Sequence, residues 1–144
     1  MFEELTRFLP SFQDTQFGEW IIDHENDGSI EHPLQFPFVD YNRVVTEFMD
    51  SVYRFIDKHN SMELTRYAEI LEDANIEWGL KSLSNADVSA LDGRTVMAMI
   101  VGAIRAERFC DGALLGFCKD GSILRWLSRL KQIDGQGETG NVSR

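Results

Sequence analysis

One segment, Arg94–Phe109, limits the possible folds more than any other stretch of this chain. Val96, Met97, Met99, Ile100, Val101 and Ile104 leave no polar stripe on a helix drawn through them, with Gly102 and Ala103 between. A helix apolar on every side needs neighbours on every side, so it has to run through the middle of a bundle. The small residues predict a neighbouring helix that approaches closely. With 144 residues, 43% of them hydrophobic, the chain is long enough to supply those neighbours without disulfide or metal support.

The neighbours are legible as amphipathic stripes. Across Asp40–His59, Tyr41, Val44, Val45, Phe48, Val52, Phe55 and Ile56 recur at three- and four-residue steps, with Asp40 as the expected N-cap and Asn60 as the stop. Ser61 is expected to cap a second helix to about Asn75 with Leu64, Tyr67, Ala68, Leu71 and Ala74 inward, which makes a helical hairpin. Residues 76–91 carry Gly79, Ser82, Ser84, Asn85 and Asp87 and predict a turn or a broken helix. Ala113–Cys118 predicts a short helix. Ser122 opens the last one, whose core face is Ile123, Trp126, Leu127, Leu130 and Ile133.

Phe17–Phe38 is the non-helical part. Trp20, Ile21 and Ile22, then Asp27–Gly28, then Ile30 form a hairpin signature, and Pro33 and Pro37 bar a helix behind it. The expected fold is therefore mainly α: an irregular bundle of about five helices with a small N-terminal β-hairpin. Residues 1–134 form a single domain, with an acidic N-terminal segment at 1–38 and a helical core at 40–134. Residues 135–144, GQGETGNVSR, have no stripe and are expected to be a flexible tail.

The net charge of −10 argues against nucleic acid as a partner, since phosphates attract basic surfaces. The charge is polarised. Residues 1–34 carry eight acids against the single Arg7, whereas Gly121–Ile133 has no acid and holds Arg125, Arg129 and Lys131. That pattern suits a protein partner or homo-oligomer. No apolar run reaches the ~20 residues that cross a bilayer, so no membrane association is expected. Met1–Pro10 has neither a basic start nor an apolar run, so no signal peptide is expected. Two cysteines without CxxC spacing suit a reducing, cytoplasmic setting, and both are expected to be small buried hydrophobes.

Two metal patterns fall short. Asp23, Glu25, Asp27 and Gly28 stand at the first, third, fifth and sixth positions of a calcium loop, yet Leu34 holds the twelfth, where a bidentate Glu is required. His24 and His32 supply only two imidazoles, His59 ends another helix, and no metal is expected. There is no GxSxG, P-loop, GxGxxG or HExxH, so neither a cofactor nor an enzyme is the favoured expectation.

The most unusual cluster is Arg105, Glu107, Arg108 and Asp111, which arrives just as the apolar run stops. Buried guanidinium groups must find carboxylates or carbonyls, so a structural network is the first expectation, with Glu107 or Asp111 as partners. The functional alternative is a fork for a phosphate or carboxylate ligand.

The stretch from Ile104 to Gly112, followed by the run from Asp120 to Leu130 with Arg125 and Arg129, resembles a bacterial and archaeal family of small helical domains of unknown function. The likeness covers mainly residues 40–134 and is most specific over 100–131. It implies a compact helical fold and a bacterial or archaeal origin, and no catalytic residue. The expected role is a small cytoplasmic, non-enzymatic protein-interaction module. The alternative is a phosphate- or carboxylate-binding protein or enzyme using Arg105 and Arg108.

Overall fold

Phenylalanines hold down the first turns of the chain. Phe2, Leu5, Phe8, Leu9 and Phe12 are all buried, on or beside two short helices, α1 (Glu3–Thr6) and α2 (Leu9–Asp14). Phe2 stacks on Phe55 at 5.6 Å between ring centroids, and Phe8 and Phe12 both meet Phe48 edge-on. Burying each such side chain stabilises the fold by roughly 1.5–3 kcal/mol. The molecule is known from a computed structural model, which describes residues 1–14, 16–22, 28–31 and 37–143, with backbone only for Asp14 and for 137–143.

Strands β1 (Gly18–Ile21) and β2 (Phe38–Tyr41) pair antiparallel, Gly18 opposite Tyr41 and Ile21 opposite Phe38. The hairpin is present, but its second strand is not the one expected near Ile30. The β-forming run Phe38-Val39-Asp40-Tyr41 pairs instead, with Pro37 just outside the ladder, where a missing N–H costs nothing. Gly28 has φ of +89°, as a turn residue would, while Asp23, His24, Glu25, Asp27, His32 and Leu34 lie outside the described residues.

Helix α3 (Arg43–Lys58) therefore starts later than Asp40. Asn42 is its N-cap, accepting from the Val45 N–H at 3.1 Å, because Asp40 and Tyr41 are still held in the ladder. The second helix is also shorter than expected. Two 3-10 turns, Asn60–Met62 and Leu64–Arg66, flank Glu63 at φ +50°, and α4 (Tyr67–Asp73) begins only after them. Ser61 consequently lies in a turn and caps nothing. The broken stretch after it contains α5 (Leu80–Asn85).

The apolar segment forms α6 (Gly93–Ala106), capped by Asp92 through the Thr95 N–H at 2.8 Å. Every residue from Thr95 to Ile104 is buried, with α4, α7 (Ala113–Lys119) and α8 (Ser122–Ser143) packed around it. At Gly102 a Cβ would lie 2.7 Å from the Trp78 indole and 3.3 Å from the ring of Tyr67 at the start of α4, so the small residue admits both that helix and a ring from the segment after it. Ile123, Trp126, Leu127 and Leu130 of α8 are buried as expected. The helix continues through the segment expected to be a tail. Its Asp134 accepts from the N-terminal ammonium at 3.1 Å and from the Phe2 N–H at 2.9 Å, which fastens the start of the chain to α8. Among the described residues, no helix is long and apolar enough to cross a membrane.

Candidate functional site

Glu107 lies just past the end of α6, and its carboxylate is the hub of that corner. Oε1 accepts from the Tyr41 hydroxyl at 2.7 Å and from the Leu114 N–H at 3.0 Å, and both oxygens accept from the Gly112 N–H at 3.1 Å. The Tyr41 oxygen in turn accepts from the Leu115 N–H at 3.0 Å. The first N–H groups of α7 have no partner within their own helix, and here a carboxylate and a phenol from other elements satisfy them. Burial, and then the neighbouring Glu107 carboxylate, push the Tyr41 hydroxyl well above its ordinary value, so it stays protonated.

Gly112 makes the corner possible. Its φ is +90°, which a side chain would oppose, and a Cβ there would lie 2.3 Å from the Trp20 ring. The indole of β1 thus lies against the turn that Glu107 organises.

The four cluster residues separate in space. Glu107 is committed to Tyr41 and the α7 backbone. Arg105 is half-buried, and its Nε is buried with no hydrogen-bond partner. Arg108 and Asp111 are exposed. No ion pair among the described residues joins either arginine to Glu107 or Asp111. Asp111 lines a cavity of about 450 Å³ with Lys81, Ser84, Cys110 and Asp120, and the two arginines do not. There Ser84 Oγ donates to Asp120 at 2.8 Å, and among the described residues no imidazole lines the cavity.

The two cysteines differ, contrary to the expectation that both are buried. Cys118 is buried, and burial with the nearby Asp120 pushes its thiol up to about 12. Cys110 is exposed, because α6 has already ended at Ala106 and the turn carries it outward. Among the described residues, no three His, Cys, Asp or Glu side chains come together as a metal site.

Sequence reasoning missed Tyr41 and Trp20 as parts of this corner. The only signal was the β-forming run Phe38–Tyr41, which the helical spacing of Tyr41, Val44 and Val45 concealed.

No curated protein and no solved structure matches the chain. A family model does, and the match reaches back to Met1, well before the residue-40 boundary of the resemblance seen in the sequence. Over residues 1–136 the chain matches the family of unknown function DUF6508, and the protein belongs to that family.

Proposed function

We propose that the protein is a non-enzymatic interaction module that docks a partner protein through the hairpin and the 107–112 turn beneath it. The observation that carries this reading is the exposure of large apolar side chains there. Phe109 is 86% exposed, Ile22 53%, Trp20 44% and Phe38 39%. Large apolar side chains left exposed on neighbouring segments in this way are characteristic of contact sites. The hairpin face that carries Phe38, opposite the face of Trp20, sets Glu19 directly opposite Asp40, a like-charge pair that weakens the ladder on its own. A second copy facing it would add two more acids. The fitting occupant is therefore a different protein that presents basic side chains around an apolar segment.

Two other acids of the N-terminal segment are already paired within the chain. Glu3 pairs with the terminal ammonium and Glu4 with Lys58 at 2.7 Å, whereas Glu19 and the adjoining Asp40 have no ion pair among the described residues.

A photo-crosslinking benzoylphenylalanine in place of Phe109 tests the reading in cells. One discrete adduct is expected, absent when the crosslinker replaces Glu47 on α3 and lost with Glu19→Lys and Asp40→Lys together. Identical adducts at both positions, or none, would overturn it. Light scattering at low and high salt should find a monomer; a salt-sensitive dimer would make the partner a second copy.

A second reading, a phosphate or carboxylate ligand at Arg105, draws support from one atom. Its buried Nε is a donor without an acceptor, and a ligand oxygen would supply one.

A further inference from the structure

Helix α8 presents two arginines four residues apart, Arg125 and Arg129, at a groove of about 400 Å³. The opposite wall is the segment between α5 and α6, with Ala86, Val88 and Ser89, and Leu124 adds a further apolar side chain. Both guanidinium groups are held in place by neutral oxygens of the chain itself. Arg125 Nη2 donates to the Ser84 carbonyl and to Ser122 Oγ, and Nη1 to the Asp120 carbonyl at 3.3 Å. Arg129 Nε donates to the Leu91 carbonyl at 3.0 Å and Nη1 to Gln132 Oε1 at 3.3 Å.

Neither arginine has a carboxylate partner among the described residues, although the chain has 24 acids for 14 basic side chains. Among the described residues, nothing accepts from Arg125 Nε–H or from Arg129 Nη2. Carbonyl tethers fix the position of a guanidinium without neutralising it, so the cost of ordering these long side chains is met before any ligand arrives.

A second groove of about 580 Å³ shares Ser128 and Gln132 with the first and adds Arg7 and Lys131. Arg7 donates to the Glu4 carbonyl and to Ser51 Oγ, again to neutral oxygens. Among the described residues, the one acid in the first groove is Asp87, whose Oδ1 accepts from the Ser89 N–H at 3.0 Å.

We propose that this groove is a binding site for a small organic oxyanion, a carboxylate or phosphate ester carrying an apolar body. Arg125 and Arg129 supply the donors for the oxyanion. Ala86, Val88 and Leu124 cover the apolar part, and Asp87 opposes a second negative charge at that end. Arg7 and Lys131 favour ligands that extend along α8 toward them. The site shares no residue with the proposed docking surface, so either reading can fail without the other.

Calorimetric titration and ¹⁵N NMR of the full chain test it with three probes: inorganic phosphate, benzoate and phenyl phosphate. At least one of the two organic probes should bind saturably, with shifts concentrated at residues 86–89 and 124–132. Which of them binds more tightly identifies the oxyanion. Inorganic phosphate, lacking the apolar body, should bind about tenfold more weakly. Arg125→Gln and Arg129→Lys should each weaken binding about five- to tenfold, the second despite keeping its charge, because a lysine lacks the fork. Asp87→Asn, on an exposed turn, should tighten it about two- to threefold. The proposal is overturned if neither organic probe saturates at about millimolar concentration. Shifts that map to other residues, or arginine variants and Asp87→Asn that all bind like the parent, would overturn it equally.

Discussion

Tyr41 and Glu107, 66 residues apart in sequence, meet at 2.7 Å, and through that contact the hairpin, the end of α6 and the start of α7 become one unit. The phenol both donates to the carboxylate and accepts from the Leu115 N–H. Tyr41→Phe should therefore cost about 1–3 kcal/mol, since it leaves a backbone donor and part of a carboxylate unsatisfied. Glu107→Ala should cost more, because the Gly112 and Leu114 N–H groups lose their acceptor as well. Urea unfolding of the two single variants and the double variant should show strong coupling. Additive losses would mean that the contact does not join the two elements.

The same corner depends on the absence of a side chain at residue 112. Gly112→Ala combines a disfavoured positive φ with a clash against Trp20, and should destabilise by about 2–4 kcal/mol. Pairing it with Trp20→Ala should recover the steric part and leave the backbone part. Near-parental stability for Gly112→Ala alone would show that the Trp20 ring moves aside freely.

The parts of the fold legible in the sequence are those where one period runs for three turns or more. The stripes of α3 and α8 and the all-round apolarity of α6 report burial on a fixed helical geometry, and that geometry is local. The first twelve residues carry such a stripe too, in Phe2, Leu5, Leu9 and Phe12. Pro10 disguised it, although a proline in the first turn of α2 displaces no helical hydrogen bond. Tyr41 fits the helical spacing of Val44 and Val45, yet it belongs to β2, because pairing with Gly18 outweighs propensity. In the cluster at 105–111, neighbouring charges suggested ion pairs. Glu107 binds a phenol and backbone N–H groups instead, and contacts of that sequence separation leave no trace in spacing.

Accessibility separates the thiols. Iodoacetamide at neutral pH should modify Cys110 readily and Cys118 only on unfolding, since one is exposed and the other buried and held protonated. Mass spectrometry after brief labelling should find a single adduct at Cys110. The raised Cys118 thiol also sets an alkaline limit. Its proton is bound more tightly in the folded chain, so its stabilising contribution is intact below the ordinary thiol value of 9.0 and is lost as pH rises toward about 12. Stability from urea melts should fall by about 2–3 kcal/mol between pH 9 and 11 from this group alone. Tyr41, raised in the same direction, adds to the loss only above its own ordinary value of 10.0. Cys118→Ala should flatten the first part of that decline, and an unchanged pH profile would show that the thiol ionises without penalty.

Arg105→Met separates a structural guanidinium from a ligand-binding one. Nε of Arg105 is buried without an acceptor, so the methionine variant removes an unsatisfied donor and keeps most of the apolar stem. Its stability should match or exceed the parent by up to about 1 kcal/mol, as isosteric apolar replacements of unpaired buried groups do. A loss of more than about 2 kcal/mol would show that the side chain holds the end of α6 in place through its remaining nitrogens. The variant should also leave the binding of phenyl phosphate at the α8 groove unchanged, because that groove contains neither Arg105 nor Arg108. Weakened binding with unchanged stability would instead place the oxyanion at Arg105.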